Sequence, residues 1–181
     1  MPVTDAHNPL SFSTDWTRRG WLAAALAVAV TPAWVRALPA VPRRILFVCQ
    51  AGTVKSPMAR ELFRDVARRR GIAIDAFSRG LAIVDHVSPD LRLRLTADHI
   101  DVSAEPAQQL ASTDWQAALL VVAFNPLPAA VDRSDIIDWT DVGSMNDDYD
   151  RSLADLRNRI NGLLDMLIQR GVSSLAHPPS H

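Results

Sequence analysis

Ile45-Leu46-Phe47-Val48 is a short unbroken apolar run of aliphatic and aromatic side chains, as in a strand buried on both faces of a parallel sheet. Eight residues after Val48, Ser56-Pro57 reads as a helix start, with Ser as cap and Pro in the first turn. Met58, Ala59, Leu62, Phe63, Val66 and Ala67 then recur at helical spacing. Arg68-Arg69-Arg70-Gly71 closes that helix, with cations on its negative end and a Gly beyond. The arginine triplet therefore reads as a helix terminus rather than a binding patch. A strand that passes so abruptly into a helix leaves little choice of architecture: the loop between them lies at a sheet edge.

The later elements agree. Ile72 to Phe77 predicts a second strand, Leu119 to Phe124 a third and Ile136 to Trp139 a fourth. Ser88 to Leu95 alternates like a strand, but its Ser-Pro start and Leu91–Leu95 spacing favour a helix. Leu153, Leu156, Ile160, Leu163, Leu164, Leu167 and Ile168 form one stripe of a long helix ending at Gly171, and the tail from Val172 reads as a loose end. Strands alternating with helices predict an α/β fold. The expected form is a three-layer sandwich, with a central four-stranded parallel sheet and helices on both faces.

With 181 residues, 48% of them hydrophobic, the chain suits one folded domain, expected over residues 38–181. Residues 1–37 read as a leader. Thr17-Arg18-Arg19-Gly20-Trp21-Leu22 precedes an apolar run, and the uncharged stretch between Arg19 and Arg36 spans sixteen residues. That is short for a membrane-spanning helix, which needs about 20 residues. The segment resembles a twin-arginine export signal, with cleavage after Ala37 or Ala40. The resemblance implies passage through the twin-arginine translocase, contact with the membrane only in transit, and a periplasmic location. An uncleaved membrane anchor or a buried N-terminal helix in a cytoplasmic protein is the other reading. Beyond residue 37, 16 basic residues against 18 acidic ones leave a charge of −2, which argues against a nucleic-acid partner.

The loop after the first strand is Cys49-Gln50-Ala51-Gly52-Thr53-Val54-Lys55-Ser56. In open α/β sheets, ligands sit at the carboxyl ends of strands. A loop that winds into a helix N-terminus aims several backbone N–H groups at one spot, where the helix dipole also favours an anion. A cysteine under that field is favoured as thiolate, the nucleophilic form. Lys55 adds a cation at the rim, Ser56 a hydroxyl within reach of the sulfur, and Gly52 access to a left-handed backbone conformation. Lys55 is the chain's one lysine, against eighteen arginines. A lone cysteine after an apolar strand is, by itself, more often a small buried hydrophobe. As the chain's single cysteine, Cys49 excludes an internal disulfide and a multi-cysteine metal cage. His86, His99, His177 and His181 lack ligand spacing, so neither a metal nor another cofactor is expected.

With Cys49 and Lys55-Ser56-Pro57-Met58-Ala59, the stretch from Ile45 to Leu62 resembles the signature of the low-molecular-weight tyrosine phosphatases and related arsenate reductases. That signature is Cys, five residues, Arg, then Ser or Thr, often followed by Pro-Met-Ala. Ser78-Arg79-Gly80 and His99-Ile100-Asp101-Val102-Ser103 continue the resemblance in order. It implies phosphomonoester hydrolysis through a phosphocysteine, acting on a phosphorylated protein or a small aryl phosphate. Cys49 would attack phosphorus, and the amides of Gln50, Ala51, Gly52, Thr53, Val54 and Lys55 would hold the phosphate oxygens. The family's acid lies in an Asp-Pro pair before the last helix; here Asp141 matches best and Asp138 is the alternative, neither followed by Pro. Lys55 replaces the family's Arg, exchanging a bidentate fork for a point charge, and Gly52 replaces its Asn. Two other functions stay open: an arsenate reductase that uses an external thiol, and an oxyanion-binding module without turnover. Tyr149 and Trp115 read as packing residues.

Overall fold

The computed structural model describes residues 43–171. The twin-arginine leader expected over 1–37, its cleavage after Ala37 or Ala40, and the tail from Val172 lie outside the described residues. Among the described residues, no helix is long and apolar enough to cross a membrane.

Among the described residues, four strands and four helices follow in the order β1 (Arg44–Cys49), α1 (Lys55–Arg69), β2 (Asp75–Gly80), α2 (Pro89–Ala97), α3 (Ser112–Ala117), β3 (Leu120–Ala123), β4 (Ile136–Asp138) and α4 (Tyr149–Gln169). The strands form one sheet in the order β2-β1-β3-β4, with every pairing parallel. β1 is central because its residues are apolar on both faces. Ile45, Phe47 and Cys49 face a core shared with α1, α2 and α4, while Leu46 and Val48 face a smaller cluster that Trp115 of α3 covers. This is the expected three-layer parallel α/β sandwich.

Several boundaries move for physical reasons. β2 starts at Asp75 rather than Ile72, because Ile72 and Ile74 are buried in the core before the ladder begins. Ser56 is not a cap: α1 starts at Lys55 with Val54 as its N-cap, and the Ser56 hydroxyl turns elsewhere. Ser88 does cap α2, accepting a hydrogen bond from Leu91 N. α3 has no counterpart in the sequence reading. It buries none of its residues and starts where the Asp114 carboxylate accepts from Ala111 N at 2.8 Å. The arginine triplet serves as a helix terminus, with Arg68 and Arg69 paired to Asp65, and Arg70 paired to Asp165. Both helix ends expected at glycine have it in the left-handed region, at Gly71 and Gly171. Ile168 departs from the α4 stripe and is exposed.

Phe47 joins the layers. Its ring lies 5.9 Å from that of Phe63 on α1, 6.5 Å from Phe124 after β3 and 6.0 Å from Trp139 after β4. It is completely buried. Phe47→Ala should therefore destabilise the protein by about 3–5 kcal/mol, read as a fall in the urea midpoint with an unchanged slope.

Candidate active site

The loop from Gln50 to Val54 is held by its carbonyls. Leu81 N donates to Cys49 O at 3.0 Å, Ala82 N to Gln50 O at 2.9 Å and Val84 N to Ala51 O at 3.3 Å. In a trans peptide the following N–H points opposite the carbonyl, so this anchoring turns the amides of Gln50, Ala51 and Gly52 away from the β2 side. The Gln50 amide is taken by Asn125 Oδ1 at 2.8 Å and the Gly52 amide by the Cys49 sulfur at 3.2 Å. Among the described residues, no acceptor pairs with the amides of Ala51, Thr53, Val54, Lys55 or Ser56. Gly52 has φ +71°, the left-handed conformation its residue type allows, and a Cβ there would stand 2.9 Å from Gly80 Cα. Glycine is needed on both sides, since a Cβ on Gly80 would meet Gly52 N at 2.8 Å.

Cys49 ends β1 and is 4% exposed. Its Sγ lies 3.0 Å from Ser56 Oγ, and that hydroxyl is also placed to donate to Arg79 O at 3.2 Å. One hydroxyl proton thus has two acceptors. With the sulfur protonated, the thiol can donate to Oγ while Oγ donates to Arg79 O; with a thiolate, the hydroxyl turns to the sulfur. The α1 N-terminus adds its positive end to the same place.

The family model for the low molecular weight phosphotyrosine protein phosphatases matches residues 44–130. The match, over just under half of the chain, makes this segment similar to that phosphatase family. Solved structures share the fold at low identity. YfkJ from Bacillus subtilis is 20% identical, with a TM-score of 0.60 over 71% of this chain and 96% of that one. The low molecular weight protein tyrosine phosphatase from T. tengcongensis is 23% identical, with a TM-score of 0.56 over 69% and 99%. The YwlE arginine phosphatase from Geobacillus stearothermophilus is 21% identical, with a TM-score of 0.58 over 77% and 100%. No curated protein sequence matches the chain.

Against that phosphatase framework, the structure brings Cys49, Gly52 and Ser56 together and sends two expected residues elsewhere. Lys55 Nζ donates to Val142 O at 2.7 Å, which ties the start of α1 to the loop after β4. Both oxygens of Asp141 are taken by Arg159 of α4, at 3.0 and 2.6 Å. Those hydrogen bonds hold the Asp141 carboxyl below its usual range. Asp138 is likewise held low by hydrogen bonds from Thr140, whose amide donates to Oδ1 at 2.8 Å. Neither carboxylate hydrogen-bonds the Cys49 loop.

Sequence reasoning missed Asn125, which occupies the loop's first amide, and Arg159, which occupies the candidate acid. Asn125 carried a readable signal, because it follows β3 at the same carboxyl edge of the sheet as Cys49. Arg159 carried none, since its partner lies eighteen residues away on another element.

The Asp141–Arg159 pair has a definite sign with pH. A carboxyl depressed in the folded state adds stability above its unfolded pKa and loses it as pH falls through the folded value. Arg159→Met should return the Asp141 titration, followed by carboxyl NMR, to the usual Asp range. The stability difference from the parent should vanish in strong acid.

Proposed function

We propose that the domain hydrolyses phosphate monoesters of tyrosine, or of small aryl alcohols, through a phosphocysteine at Cys49. The observation that carries this reading is the Cys49 sulfur itself. It receives the Gly52 N–H and faces the Ser56 hydroxyl, beneath a loop with further amides unpaired. Cys49 Sγ, as thiolate, attacks phosphorus as the bond to the leaving oxygen breaks, and that oxygen departs with the electron pair. The unpaired amides and the α1 N-terminus meet the charge on the other phosphate oxygens. Water then attacks the phosphocysteine, giving up a proton, and the sulfur leaves as thiolate with inorganic phosphate as product.

The acid arrangement favours an aryl substrate. Asp141 is ionised and bound to Arg159, so in this arrangement it has no proton to give. A phenol leaves as phenoxide with little help, whereas an alkyl alkoxide needs that proton. Exposed Ile83 and Val84, on the segment that anchors the loop, offer apolar surface beside it.

The reading predicts that the full chain hydrolyses p-nitrophenyl phosphate and that Cys49→Ser is inactive. Equal rates in the two proteins would reject it. Lys55→Arg, which restores a fork for two oxygens, should raise kcat on the order of 10²-fold.

A second reading, an oxyanion-binding module without turnover, is favoured by the engagement of Lys55 with Val142 O and of Asp141 with Arg159. Calorimetric binding of phosphate by a chain that hydrolyses nothing would select it.

The reading extends to place. Arg18-Arg19 and the apolar run after them support export by the twin-arginine route to the periplasm, with phosphorylated proteins or aryl phosphates there as substrates. Replacing Arg18 and Arg19 by Lys should leave the protein in the cytoplasmic fraction at full precursor length.

A further inference from the structure

Apart from Cys49 and the aromatic residues, five described polar or charged side chains are buried, and four of them belong to the Cys49 loop, α1 and β2. They are Thr53, Ser56, Arg60 and Ser78; the fifth, Ser152, is on α4. Arg60 stands out, a guanidinium 1% exposed and one helical turn beyond Ser56 on the same face of α1. Its Nε donates to Glu61 Oε1 at 2.6 Å, and its Nη1 to Ser78 Oγ at 3.1 Å and Glu105 Oε2 at 3.4 Å. Its Nη2 is buried without a hydrogen-bond partner.

Such a group is a poor stabilising device. Taking a charge from water is costly, and an unmatched buried donor adds to that cost. A favourable consequence elsewhere has to be sought, and the neighbours of Ser78 supply one. Arg79, the next residue, presents the carbonyl that Ser56 Oγ bonds, and Gly80 abuts Gly52. Leu81 and Ala82 hold the carbonyls of Cys49 and Gln50. Residues 78–82 are thus the shelf on which the loop and Ser56 rest, and Arg60 holds its first residue. The other cations at the shelf are occupied elsewhere: Lys55 bonds Val142 O, and Arg79 pairs with Asp114. Arg64 joins Glu61, Glu105 and Asp75 on the outer side.

We propose that Arg60 is a positioning residue for Cys49: through Ser78 it holds the end of β2, whose continuation anchors the loop that aims the Gly52 amide at the sulfur. The inference rests on the reading of Cys49 as the reactive nucleophile. Without Arg60, Ser78 loses its donor, the segment after it shifts, and the Cys49, Gln50 and Ala51 carbonyls it anchors no longer aim the Gly52 amide at the sulfur.

The test needs no turnover. Cys49 is the chain's one cysteine, so alkylation of the full chain by iodoacetamide reads it alone. Rates are followed against pH and divided by each protein's own high-pH plateau, which cancels differences in access. Arg60→Met and Ser78→Ala should each lower the fraction of plateau reached at neutral pH about tenfold. That is the usual scale for losing a hydrogen bond to a charged group. The double variant should fall no further than either single one. Arg60→Lys, which keeps a donor for Ser78, should recover most of the loss. A merely structural Arg60 would lower the unfolding midpoint and leave the normalised profile unchanged, and that result overturns the inference. Should Arg60→Met fail to fold, Ser78→Ala carries the test, because it leaves the ion pairs in place. A parent profile that coincides with the urea-unfolded chain removes the phosphatase reading and this inference together. A displaced parent profile with unchanged variants removes this inference alone.

Discussion

Three hydrogen bonds, from the amides of Leu81, Ala82 and Val84 to the carbonyls of Cys49, Gln50 and Ala51, decide what the loop can be. A peptide has two polar ends, and fixing one aims the other. Were those carbonyls free to turn inward, the sulfur would sit under partial negative charge and repel an anion. Because β2 runs parallel to β1 and ends level with it, at Gly80 opposite Cys49, its continuation arrives where those acceptors need donors. The chemistry of the site is thus a product of sheet register.

The same register explains why the second neighbour of β1 matters. Val48 lies opposite Ala123, so the chain leaving β3 passes the loop from the other side, and Asn125 reaches the Gln50 amide from there. The first amide is closed by a side chain and the third by the sulfur, while the helix-proximal amides stay open. Anion affinity is therefore concentrated toward the α1 end of the loop, where the helix dipole is strongest.

Much of the fold was legible because burial on both sheet faces leaves unbroken apolar runs. Ile45–Val48 and Leu119–Phe124 are such runs, and both became central strands. β2 was harder: its ladder includes Asp75 and Arg79, polar residues that pair at the sheet edge, while apolar Ile72 and Ile74 lie before it. α3 left no periodic trace because it buries none of its residues. At the site, Cys49, Gly52 and Ser56 could be read from local order alone. The direction taken by Lys55 and the partner of Asp141 could not, because each depends on a residue from a distant element: Val142 and Arg159.

The contact between Gly52 and Gly80 carries an evolutionary consequence. Each glycine is required by the backbone of the other, so no side chain gained at one can be offset by trimming its opposite, which has nothing left to remove. Drift at either position must instead push neighbouring strands away from each other at the sulfur. The pair behaves as a single heritable character, and descendants of this chain that keep the loop and β2 at this spacing should inherit both glycines.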